Sequence, residues 1–352
     1  MSIMNNVFRW VALAASLAAG ISTAHAVDIS GAGATFPYPI YAKWADAYKT
    51  QTDLNLNYQS IGSGGGIKQI KATTVTFGAS DKPLEARELQ ESGLVQFPMI
   101  MGGVVPVINV KGIEPGKLAY DGPTLAKIFM GDITKWDDPA IQKLNPNVKL
   151  PNKAIAVVHR SDGSGTTFLF TDYLSKVSPE WKEKIGSDTA VQWPVGIGGK
   201  GNEGVANMAT QTDGSIAYVE YAYAKQNKMP YAAMINEAGK RVEPKIETFQ
   251  AAASNADWAG TPGYAVVLTN EPGPESWPIT GASFILMHQK PQDPQAARAA
   301  LNFFDWAYKK GGEMAEELDY VPVPSQVTDL VRATWRKDIT GSDGNPVWQA
   351  SN

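Results

Sequence analysis

Strand, loop and helix follow one another in the stretch Ala154-Ile155-Ala156-Val157-Val158-His159-Arg160-Ser161-Asp162-Gly163-Ser164-Gly165-Thr166-Thr167. The first five residues form the uninterrupted apolar run that is typical of a buried strand. After the loop, Phe170, Tyr173, Leu174 and Val177 recur at the spacing of one apolar helix face. This order predicts an α/β protein.

The same alternation extends along the rest of the chain. Further apolar runs predict strands at 75–80, 102–108, 215–219 and 283–287. Helical spacing recurs at 40–48 and at 300–307, where Gly311 would act as the C-cap. Pro106 disfavours a central position for its strand, because proline lacks the N–H that a ladder needs. Strands that alternate with helices predict sheets covered on both faces.

Composition restricts the classes of protein that this chain can belong to. With 352 residues, of which 43% are hydrophobic, the chain is long enough for two domains. The net charge of −4 excludes a broad basic surface for nucleic acid. The chain has no cysteine, which excludes disulfides, thiol catalysis, Fe–S clusters and cysteine zinc sites.

The N-terminal segment 1–26 has the pattern of a secretory signal peptide. Its only charged side chain is Arg9, the apolar run 10–19 follows, and Ala24-His25-Ala26 fits a small-x-small cleavage site before Val27. The alternative, a membrane anchor, is disfavoured because the apolar run is shorter than the ~20 residues of a span. We therefore expect a soluble exported protein.

Three loops share glycines and hydroxyl residues placed before a helical pattern. They are Gly31–Pro37, Gly62–Gly66 and Arg160–Thr167. A helix start offers unpaired N–H groups and the positive end of the helix dipole, and glycine lets a ligand approach the backbone. The loops therefore predict an oxyanion site, although ordinary N-caps and turns would leave the same pattern. The stretch Gly196–Gly201 fits the spelling G-x-G-x-x-G but lacks a clean strand before it, so we predict a loop.

Two carboxylates refine the expected ligand. Asp162 lies two residues after Arg160 and would fix its guanidinium, although the pair could also be an ordinary surface pair. Asp81 follows a predicted strand, and its alternative role is to start a helix around Pro83–Glu85. An ionised carboxylate only accepts hydrogen bonds, so beside an anion site it would select a ligand that carries a proton.

The sequence resembles the periplasmic phosphate-binding proteins of bacterial ABC phosphate importers, both in these loops and in further stretches along the chain. The resemblance runs from about Ile29 to the region of Trp348. It rests on Gly31–Pro37, Phe77–Asp81, Ile128–Ile133, Trp136–Asp138, Asp162–Thr166, Tyr218–Ala222 and Phe303–Tyr308.

This resemblance implies a periplasmic-binding-protein fold of two α/β lobes with a ligand cleft and a two-strand hinge. One lobe would comprise 27–104 and 279–352, and the other 105–278. Inorganic phosphate would bind in the cleft, with Asp162 orienting the arginine. The implied ligand residues are Thr35, Phe36 (through its N–H), Ser63, Asp81, Arg160, Ser164, Gly165 (through its N–H) and Thr166.

The resemblance further implies a monomer that passes phosphate to a membrane permease with transmembrane and ATPase subunits. It implies no catalysis, cofactor or metal. This sequence departs from the family pattern at Gly64, where a second serine is usual, and at His159, where another basic residue is common. Neither position is an implied ligand.

Two other functions remain open from the residues alone. A receptor for sulfate or molybdate would meet repulsion at Asp81, since those anions carry no proton at neutral pH. An exported serine hydrolase or phosphatase would use Ser164, but Asp162 stands where the nucleophile elbow needs glycine. Successive side chains of a strand point to opposite faces, so His159 would face away from the site if Arg160 faces it. The sequence shows no cluster of histidine and aspartate at metal-ligand spacing, so a metallophosphatase is disfavoured.

Overall fold

The computed structural model describes residues 28–349, so the predicted signal peptide at 1–26 lies outside the described residues. The strands are β1 (Ile29–Gly33), β2 (Leu56–Ser60), β3 (Phe77–Ser80), β4 (Leu94–Asn109), β5 (Ala119–Tyr120), β6 (Ala156–Arg160), β7 (Ile197–Gly199), β8 (Ser215–Glu220), β9 (Ala233–Ile235), β10 (Arg241–Val242), β11 (Thr280–His288) and β12 (Val321–Pro322). The helices are α1 (Tyr38–Thr52), α2 (Ser63–Lys71), α3 (Ala86–Ser92), α4 (Gly122–Met130), α5 (Pro139–Leu144), α6 (Gly165–Val177), α7 (Pro179–Lys184), α8 (Gly201–Gln211), α9 (Tyr221–Gln226), α10 (Ile246–Ala253), α11 (Pro294–Lys310), α12 (Gly312–Glu316) and α13 (Ser325–Asp338).

One long sheet runs through both halves of the molecule, in the order β2-β1-β3-β11-β4-β8-β6-β7, with β12 also paired to β4. The 16-residue strand β4 joins the halves, because it pairs with β11 up to Gly103 and with β8 from Val104 onward. The chain crosses back before β11, where the Val104 N–H donates to Ile279 O at 2.9 Å. The molecule is therefore α/β with two lobes and a two-strand hinge. The lobe limits given above stay a prediction.

The expectation for Pro106 is wrong, since it lies in the middle of β4 opposite Tyr218. The reason is the direction in which a backbone N–H at this position would point. The Pro106 carbonyl accepts from the Ala232 N–H at 2.9 Å, and the Ile108 N–H donates to Pro230 O at 2.9 Å. At this position the backbone groups therefore face the segment 230–232, and no bond to β8 is lost.

Large aromatic side chains fill much of the core. The fully buried ones include Trp44, Trp136, Trp181, Trp277 and Trp335. Four of them also donate their indole N–H groups to backbone carbonyls, as Trp136 does to Gly214 O at 2.9 Å. This packing holds the strand ends in place without a disulfide. Within 28–349 no helix is long and apolar enough to cross a membrane.

Candidate anion-binding site

Strand ends and helix starts from both lobes converge on one buried place. Thr35 follows β1 and Asp81 follows β3, while Ser63 begins α2. From the other lobe come Arg160, the last residue of β6, and the first turn of α6 at Gly165. The predicted ligands that would bind through their side chains are all buried, with no residue more than 3% exposed: Thr35, Ser63, Asp81, Arg160, Ser164 and Thr166.

The lobes touch each other at this place. The Gly165 N–H of α6 donates to Ser63 Oγ at 3.1 Å, and the Gly64 N–H donates to Gly163 O at 2.9 Å. Beside them Lys82 Nζ lies 2.8 Å from Asp188 Oδ1. Phe36 lies next to Thr35, and Ser164 caps α6 by accepting from the Thr167 N–H at 3.0 Å. The structure thus brings all eight predicted positions together in a closed cleft. Their role as ligands stays a prediction.

Asp81 is the least satisfied group of the site. It does not start a helix, because α3 begins only at Ala86 with Glu85 as the N-cap. Both of its carboxylate oxygens are buried without a hydrogen-bond partner among the described residues. Burial raises the pKa of Asp81 from 3.8 to about 7, against the opposing effects of the Ser283 hydroxyl, which lies nearby but makes no hydrogen bond of normal geometry, and of the Arg160 charge. The site therefore contains a buried acceptor that needs a donor.

Arg160 and Asp162 form a two-point ion pair. Arg160 Nε donates to Asp162 Oδ1 at 2.8 Å and Nη2 donates to Oδ2 at 2.5 Å. Although burial alone would raise the pKa of Asp162, the bonds and charge of Arg160 hold it below its ordinary value. Because Asp162 holds one edge of the guanidinium, the remaining N–H groups of Nη1 and Nη2 are fixed in direction. Nη1 lies 3.4 Å from Thr166 Oγ1, inside the site.

Three hydroxyl oxygens of the site already accept two hydrogen bonds each. Ser63 Oγ accepts from the N–H groups of Asp81 and Gly165, both at 3.1 Å. Thr35 Oγ1 accepts from Asn202 N at 3.2 Å and from Asn202 Nδ2 at 2.7 Å. Thr166 Oγ1 accepts from Asn202 Nδ2 at 3.1 Å and from Arg160 Nη1. A hydroxyl has two lone pairs and one hydrogen, so all three can only donate to a ligand.

The prediction of a loop at Gly196–Gly201 is wrong. Residues 197–199 form β7, which pairs with β6, and Gly201 begins α8. The Gly201 N–H donates to Asp162 Oδ1 at 3.0 Å, so this helix start also faces the site. Sequence reasoning missed it because Trp193-Pro194 precedes a strand of only three residues. It also missed Asn202, the residue that contacts both threonines.

The two histidines of the described chain make their contacts with groups other than Ser164. His159 stacks on Trp193 with ring centroids 4.7 Å apart, and its Nδ1 lies 2.9 Å from Arg160 O. Burial lowers the pKa of His159. His288 Nε2 lies 2.8 Å from Ile70 O, in the other lobe. Residues 28–349 also hold no group of three or more histidine, aspartate or glutamate side chains placed to bind a metal.

Gly165 is packed too closely for any side chain while the cleft is closed. A Cβ there would lie 2.4 Å from Ser63 Oγ and 2.5 Å from Asp81 Oδ2, both on the opposite lobe. We expect Gly165→Ala to weaken anion binding at least about 10-fold, because a cleft held open loses the contacts of one lobe. The thermal midpoint of the ligand-free protein should change little. Calorimetric titration and a thermal melt would measure the two effects.

Gly204→Ala is the matched control for this change. Gly204 is also a helical glycine, but a Cβ there meets nothing nearer than 3.4 Å. It should bind like the wild type. Unchanged affinity in Gly165→Ala would show that the cleft does not need this close contact.

Comparison with known proteins identifies the family of this chain. The family model of the PBP superfamily domain matches residues 19–310. The phosphate-binding protein PstS of Pasteurella multocida is 56% identical over 327 residues, covering 93% of this chain and 95% of that protein. The PstS of Haemophilus influenzae is 54% identical over 316 residues, covering 90% and 95%.

A solved structure shares the fold at much lower sequence identity. The phosphate-binding protein of Stenotrophomonas maltophilia superposes with a TM-score of 0.64 at 20% identity, covering 88% of this chain and 94% of that one. At this identity the likeness concerns the fold, whereas the relatives above share more than half of their residues with this chain. The chain belongs to the PstS family of phosphate-binding proteins, within the PBP superfamily.

Proposed function

We propose that this protein is a receptor that captures inorganic phosphate between its lobes and delivers it to an ABC permease for import. It would work as a monomer in the periplasm, after removal of the predicted signal peptide, and without catalysis. The permease would supply the transmembrane and ATPase subunits. The relatives named above are phosphate-binding proteins, which supports the ligand and the transport role.

The observation that carries this proposal is the division of hydrogen-bonding roles in the closed cleft. Ser63, Thr35 and Thr166 offer hydroxyls that can only donate, and Arg160 adds a fixed cation. Asp81 offers an acceptor that has no partner. The complementary ligand is a compact anion with many acceptor oxygens and at least one proton. HPO₄²⁻ and H₂PO₄⁻ both have this character.

This arrangement disfavours the other oxyanions. Sulfate and molybdate can accept from the hydroxyls, but neither has a proton to donate to Asp81 at neutral pH. Wherever Asp81 is ionised, its negative charge and that of the anion would meet in a buried place, where their repulsion is poorly screened. Discrimination would therefore come from a repulsive contact as much as from attractive ones.

The geometry also gives little support to a hydrolase. A serine nucleophile needs a base within hydrogen-bond reach. His159 is engaged with Trp193 and Arg160 O, and the Ser164 hydroxyl caps α6 by accepting from Thr167. A capture role requires no change in these contacts.

Binding would be coupled to closure. An open form exposes the donors of each lobe to water, and a bound anion satisfies both sets together. The ligand therefore shifts the population toward the closed form. Exclusion of water strengthens the same hydrogen bonds. A permease that recognises the closed form would receive only loaded receptors.

Calorimetric titration of the chain without residues 1–26, stripped of ligand, tests this proposal. We expect phosphate to bind one to one at pH 8, where Asp81 with its pKa of about 7 is mostly ionised, and sulfate to give no heat of binding. A protein that bound both anions equally, or neither, would refute the proposed ligand.

A further inference from the structure

Asn202 links the two lobes through a single side-chain amide. Nδ2 donates to Thr35 Oγ1 at 2.7 Å and to Thr166 Oγ1 at 3.1 Å. These threonines belong to the loop after β1 and to the first turn of α6, which lie on opposite sides of the cleft. Asn202 itself is fully buried at the start of α8. It is therefore an internal bridge between the two lobes.

The orientation of this amide is fixed by the hinge region. Asn202 Oδ1 accepts from the backbone N–H of Glu220 at 3.0 Å. Glu220 ends β8 and is paired with Val104, where β4 passes between the lobes. Because the oxygen end of the amide must face that N–H, the nitrogen end must face the threonines. An inverted amide would place donor against donor at Glu220.

The consequence concerns the hydrogens of the two threonine hydroxyls. Each oxygen accepts from Asn202 Nδ2 and from one further donor, the Asn202 N–H at Thr35 and Arg160 Nη1 at Thr166. Both lone pairs of each hydroxyl are thereby occupied. The single hydrogen of each hydroxyl is left to point at the ligand.

We propose that Asn202 is a positioning residue, which sets Thr35 and Thr166 as obligate donors and thereby tunes the site for anion oxygens. This rests on the proposed function, since the donors are useful only if an anion binds between them. Asn202 does not need to touch the ligand. It acts through the two hydroxyls that it orients.

Asn202→Asp tests the proposal, because it keeps the shape and replaces the donating nitrogen with oxygen. An ionised aspartate would draw both hydroxyl hydrogens toward itself, and a protonated one could donate to only one threonine. We expect phosphate affinity to fall at least about 30-fold in calorimetric titration, since bonds to a charged ligand are lost. Where this variant does not fold, Asn202→Ala should still weaken binding about 10-fold, because the hydroxyls are freed to turn.

Asn145→Asp is the matched control. Asn145 is also buried, and its Oδ1 accepts from the Ala119 N–H while Nδ2 donates to two carbonyls, far from the site. This variant should lower the thermal midpoint and leave phosphate affinity unchanged. If Asn145→Asp lost phosphate affinity in the same proportion to its loss of thermal stability as Asn202→Asp does, the result would contradict a positioning role.

A double-mutant cycle with Thr166→Val separates positioning from general damage. If Asn202 acts through the hydroxyls, Asn202→Asp should cost less affinity in the Thr166→Val background than in the wild type. Equal costs in both backgrounds, or affinity of Asn202→Asp within about 3-fold of the wild type, would overturn the proposal. A wild type that bound no phosphate would instead refute the proposed function.

Discussion

Replacing Arg160 with alanine should weaken phosphate binding at least about 100-fold, because it removes the cation from a buried ion network. Arg160 is 3% exposed and holds Asp162 by two bonds. Without it the buried Asp162 charge would lose its partner, and the incoming anion would meet two carboxylates with no cation. Calorimetric titration of the variant measures the effect.

Arg332→Ala is the control for this substitution. Arg332 also pairs closely with a carboxylate, its Nε lying 2.7 Å from Asp305 Oδ1, but it belongs to α13 on the outside of its lobe. It should lose some stability and bind phosphate normally. Arg160→Lys should fall between the wild type and Arg160→Ala, because lysine keeps the charge without the two-point geometry. Affinity near that of the wild type in Arg160→Ala would exclude this residue from the site.

Replacing Asp81 with asparagine should reduce the preference for phosphate over sulfate more than it reduces phosphate affinity. The amide keeps an acceptor oxygen and adds a donor, so a fully ionised anion no longer meets a buried negative charge. Competition titrations with the two anions at pH 8 would give the ratio. An unchanged ratio would refute the role of Asp81 in discrimination.

The same carboxylate should make the ligand-free closed form depend on pH. Burial raises the pKa of Asp81 from 3.8 to about 7, so the closed form binds the proton more tightly than an open, solvated one. Closure without ligand is therefore most favoured below about pH 4 and loses this advantage progressively as the pH rises from there to about 7. Asp81→Asn removes this dependence. Small-angle scattering should find the ligand-free variant more compact than the wild type at pH 8, with a difference that shrinks toward pH 5.

The alternation of strands and helices was predictable because local periodicity reports burial directly. The helices at 40–48, 170–177 and 300–307 lie within α1, α6 and α11, and Gly311 is the C-cap. The strand predicted at 154–158 begins two residues later, since Ala154 makes only an isolated bridge to Lys135. The position of Pro106 within the sheet could not be predicted from propensity, because the sequence does not show toward which neighbour a backbone N–H at this residue would point.

The loops of the site were predictable from their glycines and hydroxyl residues, whereas the hydrogen-bond roles were not. Nothing in Thr35 or Thr166 alone indicates that both lone pairs are occupied. That depends on Asn202, which is 36 residues from Thr166 in the chain and reaches the site only through the pairing of β7 with β6. A short edge strand such as β7 leaves a weak periodic signal in the sequence. The strand was therefore not predicted, and neither was α8, which begins directly after it.

A crystal structure of the protein with phosphate bound tests the central claim most directly. We expect the phosphate between Arg160 and Asp81, with one Asp81 oxygen within about 2.7 Å of a phosphate oxygen, the spacing of an O–H···O⁻ bond. The hydroxyls of Thr35, Ser63 and Thr166 should each lie within hydrogen-bond reach of other phosphate oxygens. A phosphate bound elsewhere, or an Asp81 side chain turned away from it, would contradict the account.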